Sequence, residues 1–141
     1  MKPLGLTVFA SLLGIGLLFA SPDSAGAQRT APPDGAYKKV STLVPLPDFV
    51  PGLGTLYVDP ATLPAGPFLA YDHQGDLVSS IYMIPLKDMN AQKAFSDLKA
   101  AHERVDHLDV VFNPGHAGMT EPHYHVILWY VSPQRAAQLA K

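Results

Sequence analysis

The chain has 141 residues, no cysteine, and a formal charge of −2 with its six histidines neutral. Without cysteine there is no disulfide, no thiolate nucleophile and no Cys-ligated zinc. The near-balanced charge offers no basic stripe for nucleic acid, since Lys38-Lys39 is only a pair.

Residues 1–27 have the three parts of a cleavable secretory signal. Lys2 supplies the positive start, Leu4 to Ala20 is uncharged and apolar, and Ala25-Gly26-Ala27 offers small residues just before Gln28. A retained anchor is the alternative. The apolar stretch sits near the lower limit for a bilayer span, about 17–25 residues, and contains Gly5, Gly14 and Gly16. The signal reading predicts a periplasmic or secreted protein with no membrane span after cleavage. It carries away one basic and one acidic residue, so the charge balance is unchanged.

Residues 28–51 read as an extended proline-rich lead-in, because Pro32, Pro33, Pro45, Pro47 and Pro51 forbid helix. Its start is polar and expected to be mobile. Val40 to Val50 is apolar enough to lie against the domain or a neighbouring subunit. Residues 52–141 then form a single α+β domain. Gly54 to Val58, Pro67 to Tyr71 and Leu77 to Ile84 read as strands, with a turn at Asp72-His73-Gln74-Gly75.

A helix is predicted from Asp88 or Asn90, with Ala91, Ala94, Phe95, Leu98 and Ala101 on one face and Arg104 near its end. Val105 to Phe112 and His123 to Val131 read as two further strands, and Pro133 opens a short C-terminal helix. The predicted sheet is mixed and mainly antiparallel, with a right-handed parallel crossover from Leu77 to Phe112 and an antiparallel hairpin over residues 105–131.

Four of the six histidines cluster between residues 107 and 125: His107, His116, His123 and His125. Alternation along a strand puts His123 and His125 on one face. Pairing Asp109 with His125 would add His107 and Asp109 to that face, whereas a slip of one residue would remove them. The loop between the strands supplies His116, Met119 and Glu121, with Gly115 and Gly118 to fold it back. The predicted ligand set is therefore His116, His123 and His125, completed by His107 or Glu121. Asp109 is a further oxygen acceptor. Such a set suits a divalent transition metal, Zn, Cu, Ni or Fe(II), and Met119 in place of a carboxylate tilts it toward copper.

Two other readings fit the same residues. The histidines serve as hydrogen-bonding groups at a subunit contact of a self-assembling envelope protein, or one acts as a general base near Glu121 or Asp109 in a small enzyme. No G-x-S-x-G elbow, P-loop or dinucleotide fingerprint is present, so the sequence leans away from an enzyme. His73 and His102 read as structural. Tyr71, Tyr82, Tyr124, Trp129 and Tyr130 read as core or interface rather than a pocket lining.

The blocks GLGTLYVDPATLPAGPFLAYD, SSIYMIPLKDM and NPGHAGMTEPHYHVILWYV resemble an uncharacterised family of small exported bacterial proteins. The resemblance covers about residues 50–133 and rests on the P-G-H-x-G and P-H-Y-H blocks. It implies export and a homo-oligomer, and it assigns no catalytic residue.

Overall fold

The computed structural model describes residues 28–141, so the expected signal segment lies outside the described residues. The fold is α+β, built on one six-stranded sheet. The strands are β1 (Lys38–Lys39), β2 (Thr55–Val58), β3 (Phe68–Tyr71), β4 (Leu77–Pro85), β5 (His107–Asn113) and β6 (His123–Trp129). Two short helices, α1 (Leu86–Asn90) and α2 (Pro133–Ala137), follow β4 and β6. Among the described residues no helix is long and apolar enough to cross a membrane.

The strand order is β1-β2-β3-β4-β6-β5, and every neighbouring pair is antiparallel. The expected parallel crossover is therefore replaced. β4 and β5 do run the same way, but β6 inserts between them and pairs with both. β6, two-sided and apolar in sequence, becomes the central strand of that half of the sheet, where both of its edges are hydrogen-bonded.

The helix expected from residue 88 is shorter and starts earlier: α1 ends at Asn90, and residues 91–106 carry no helix or strand. Gln92 and Asp97, both at φ 56°, break any continuation. The physical reason is lack of packing. Alanines make up most of the periodic face, and most of the segment is exposed. A helix of that length is marginal unless an apolar face is buried. The segment is instead tied down locally, with the Tyr82 hydroxyl donating to the Lys99 carbonyl at 2.6 Å.

Alternation along the strands sorts the side chains onto two faces. One carries the main core, including Leu56, Val58, Phe68, Ile81, Met83, Ile127 and Trp129. The other carries a smaller cluster of Leu69, Tyr71 and Leu77, covered by Ala31 and Tyr37 among others. The lead-in is built into the domain. Val40 is buried in the main core and Val44, Leu46, Phe49 and Val50 pack against it. Its beginning is also tied down: Leu77 N donates to Arg29 O at 2.9 Å, and Ala31 N donates to Gly75 O at 2.8 Å.

The chain's end closes the core. Ser132 caps α2 by accepting from Arg135 N, and Arg135 donates to Asp72 at 2.6 Å and Asp76 at 3.3 Å. Leu139, just beyond, is buried. These contacts make the C-terminal segment a brace on the β3–β4 turn.

Candidate metal centre

His123 opens β6, and His125 follows on the same face. β4 flanks them on one side, with Met83 opposite His125 and Pro85 opposite His123. β5 flanks them on the other, with Val111 opposite His125 and Asn113 opposite His123. Between two full neighbours, His123 is wholly buried and His125 nearly so.

The third ring arrives on the loop that joins β5 to β6. Asn113 starts it by accepting from Gly115 N at 2.8 Å. Gly115 sits at φ 130°, and a Cβ there would lie 2.6 Å from the Thr120 carbonyl oxygen, so only glycine lets the two arms of the loop come so close. His116 to Met119 forms a tight turn with reciprocal main-chain bonds of 2.8 and 3.0 Å. Gly118, third in that turn, has φ 84°, as the type II geometry requires. Met119 anchors the turn by burying its side chain in the core.

The result is a triad. The Nε2 atoms of His123 and His125 are 3.0 Å apart, those of His123 and His116 are 3.2 Å apart, and those of His116 and His125 are 3.4 Å apart. Tautomers follow from the outer nitrogens. His123 Nδ1 lies 2.7 Å from the Glu121 carbonyl oxygen and His116 Nδ1 lies 2.8 Å from that of Ala117. A carbonyl only accepts, so both Nδ1 atoms carry the proton and both Nε2 lone pairs point inward. Burial and then the neighbouring His123 and His116 rings push His125 down to about 4, which keeps it neutral at ordinary pH.

Three imidazole nitrogens at this spacing are the ligand atoms that could hold one ion, all within 4.8 Å of one another. Four-coordinate tetrahedral zinc at about 2.0–2.1 Å from each nitrogen places those nitrogens about 3.3 Å apart. The triad matches one face of that tetrahedron. Carbonyl groups that fix ring orientation from the outside are the usual support for metal-bound histidine.

The other predicted ligands go elsewhere. Glu121 contributes its backbone carbonyl, not its carboxylate, which pairs with Lys87 at 2.7 Å on the surface. His107 faces Trp129, not Ile127, because β5 is shifted by two residues from the expected register. That shift is locked by Asp106 N donating to Trp129 O at 2.7 Å and by Trp129 Nε1 donating to Asp109 at 2.8 Å. His107 stacks on Trp129 and bonds Asp106. Both His107 and Asp109 remain on the triad's face, as expected, but lie farther along the strand. His73 is exposed and stacks on Phe49 with ring centroids 3.7 Å apart.

Beside the triad lies a cavity of about 250 Å³. Its polar lining is confined to Asn113, His116 and His125; the rest is aliphatic or aromatic, including Val40, Leu46, Leu56 and Phe68. Sequence reasoning found the three rings but missed the Ala117 and Glu121 carbonyls, which have no side-chain signature. It also missed the cavity, whose only hint was the apolar stretch Val40 to Val50.

A scan of protein families finds no match to the chain, and no curated protein matches it. Among solved structures it is similar to the crystal structure of a hypothetical protein from Thermus thermophilus. The two are 44% identical, with a TM-score of 0.61 over 67% of this chain and 87% of the Thermus chain. At that identity and coverage, this chain belongs to the same family as the Thermus thermophilus protein.

Proposed function

We propose that this is an exported metal-binding domain that holds one divalent transition ion on the Nε2 atoms of His116, His123 and His125. The observation that carries the reading is the convergence of three ring nitrogens within 3.4 Å, two of them with their protons committed to outer carbonyls. The Nε2 lone pairs of His116 and His123 face each other at 3.2 Å and repel unless a proton or a metal cation is shared among the three rings. Three neutral nitrogens suit zinc, copper or nickel, and their tetrahedral spacing favours zinc. With three protein ligands the fourth position is open, the arrangement found in reactive rather than purely structural zinc sites.

Export rests on residues 1–27 and membership of the exported family on the shared sequence blocks. Self-association is supported by β5, an edge strand whose Leu108, Val110, Val111 and Phe112 are each about half exposed. Long exposed apolar edges are templates for pairing, and native proteins normally cover them.

The test is elemental analysis of the full chain, made with its leader in an exporting bacterium and purified without an affinity tag. Near one equivalent of metal is expected, falling to background in His123→Ala/His125→Ala. A native protein that is metal-free and takes up no Zn, Cu or Ni at micromolar levels would overturn the reading. Light scattering on the same sample reads the assembly, and a monomer would remove the case for self-association.

A further inference from the structure

We infer that the cavity beside the triad is the tail-binding half of a ligand site, and that the ligand is a medium-chain carboxylate whose head completes the metal's coordination. The inference rests on the metal reading above and adds what the ion binds.

Charge comes first. Three neutral imidazoles leave a divalent ion's charge uncompensated in a site where His123 is wholly buried. Buried charge is costly unless paired. The nearby protein carboxylates are committed, Glu121 to Lys87 and Asp109 to the Trp129 indole. Among the described residues this leaves no nearby carboxylate free, so the compensating anion is a bound ligand.

Shape and polarity give the rest of the ligand. Two of the three ring ligands, His116 and His125, are part of the cavity wall, so a group on the ion is adjacent to this space. Among the described residues, the wall beyond them and Asn113 is apolar in its side chains, so it disfavours a sugar, a peptide or a phosphate ester. It fits a hydrocarbon with a single polar end. An apolar cavity of about 150 Å³ holds benzene, so the present volume takes roughly eight to ten carbons. Leu43 and Leu63 line the cavity while 44% and 48% exposed, and they give an apolar ligand a way in without opening the sheet.

The experiment uses Co(II) loaded into the full-chain protein, because its visible absorption reports the inner coordination sphere. Acetate, butanoate, hexanoate and octanoate are titrated in turn. Octanoate should shift the band and saturate at one equivalent. Affinity should rise at least a hundredfold from acetate to octanoate, since each buried methylene is worth up to about fourfold. In Leu46→Trp, which fills the cavity from its half-buried wall, the Co(II) band should persist and octanoate binding should fall at least tenfold. A Co(II) spectrum indifferent to octanoate, or equally responsive to acetate, overturns the inference while leaving the metal site standing. Failure to take up Co(II) at all overturns the metal reading and this one with it.

Discussion

The two ends of the β5–β6 hairpin make an instructive pair. At one end His123 and His125 meet His116 in a buried cluster; at the other, His107 and Asp109 occupy the same face and do nothing comparable. The faces agree because the register parity is even. Depth and distance differ. His125 is flanked by two strands, whereas His107 sits on the outermost one. His107 is opposite Trp129, four residues from His125, which is about 13 Å along a strand. Sharing a face is therefore necessary for a site and far from sufficient. The third ring of the triad comes from a loop that doubles back, not from the neighbouring strand.

That comparison is broken most directly by removing one histidine from each end. His116→Ala should lower zinc affinity by about a hundredfold or more, since a third of the ligand set is lost while the rings on β6 stay in place. His107→Ala should leave zinc affinity unchanged within twofold and cost at most about 1 kcal/mol of stability through its stacking on Trp129. Calorimetric zinc titration of the two variants decides it. Equal losses would mean that the hairpin register places His107 at the ion after all.

Acid sharpens the contrast by acting on the buried end. His125 titrates near 4 in the folded chain and near its ordinary 6.5 when unfolded. Between those values the unfolded chain takes up a proton that the folded chain refuses. Stability of the metal-free protein is therefore fully present above about pH 6.5, falls as the pH drops toward 4, and loses nothing further from this group below that. The melting temperature of the metal-free protein should drop by several degrees from pH 7 to 4.5, and the drop should be smaller in His125→Asn. Zinc affinity should weaken over the same range, because the ion competes with protons for neutral imidazole. Identical melting profiles for the two proteins would show that His125 is not protected from protonation.

Much of this arrangement is visible in the linear sequence, for identifiable reasons. H-x-H on an alternating strand fixes a shared face by geometry alone, and Gly115 and Gly118 announce a loop able to return His116 to the strand end. All five longer strands fall close to their predicted positions, since β-branched and aromatic runs bounded by proline and glycine are local signals. The helix at Ala91 to Ala101 misled because periodicity shows what a segment would bury without showing that anything is there to cover it. The strand order was hidden because inserting β6 between β4 and β5 depends on non-local pairing. The two-residue shift of β5 is set by the Trp129 indole reaching Asp109, a long-range bond that no spacing rule expresses.

Glu121 offers the finest distinction, because it combines a ligand-type side chain with a backbone group that serves the site. Its carboxylate is about half exposed and paired with an exposed Lys87, a solvent-screened contact that adds little to stability. Its carbonyl holds the His123 ring. Glu121→Gln leaves the carbonyl in place and removes only the charge, so zinc affinity should change by no more than twofold. A tenfold loss would mean that the carboxylate leaves Lys87 when metal is bound and supplies the fourth ligand itself. In that case the ion's charge would be partly met from within the chain, and the site would no longer need an anion from outside.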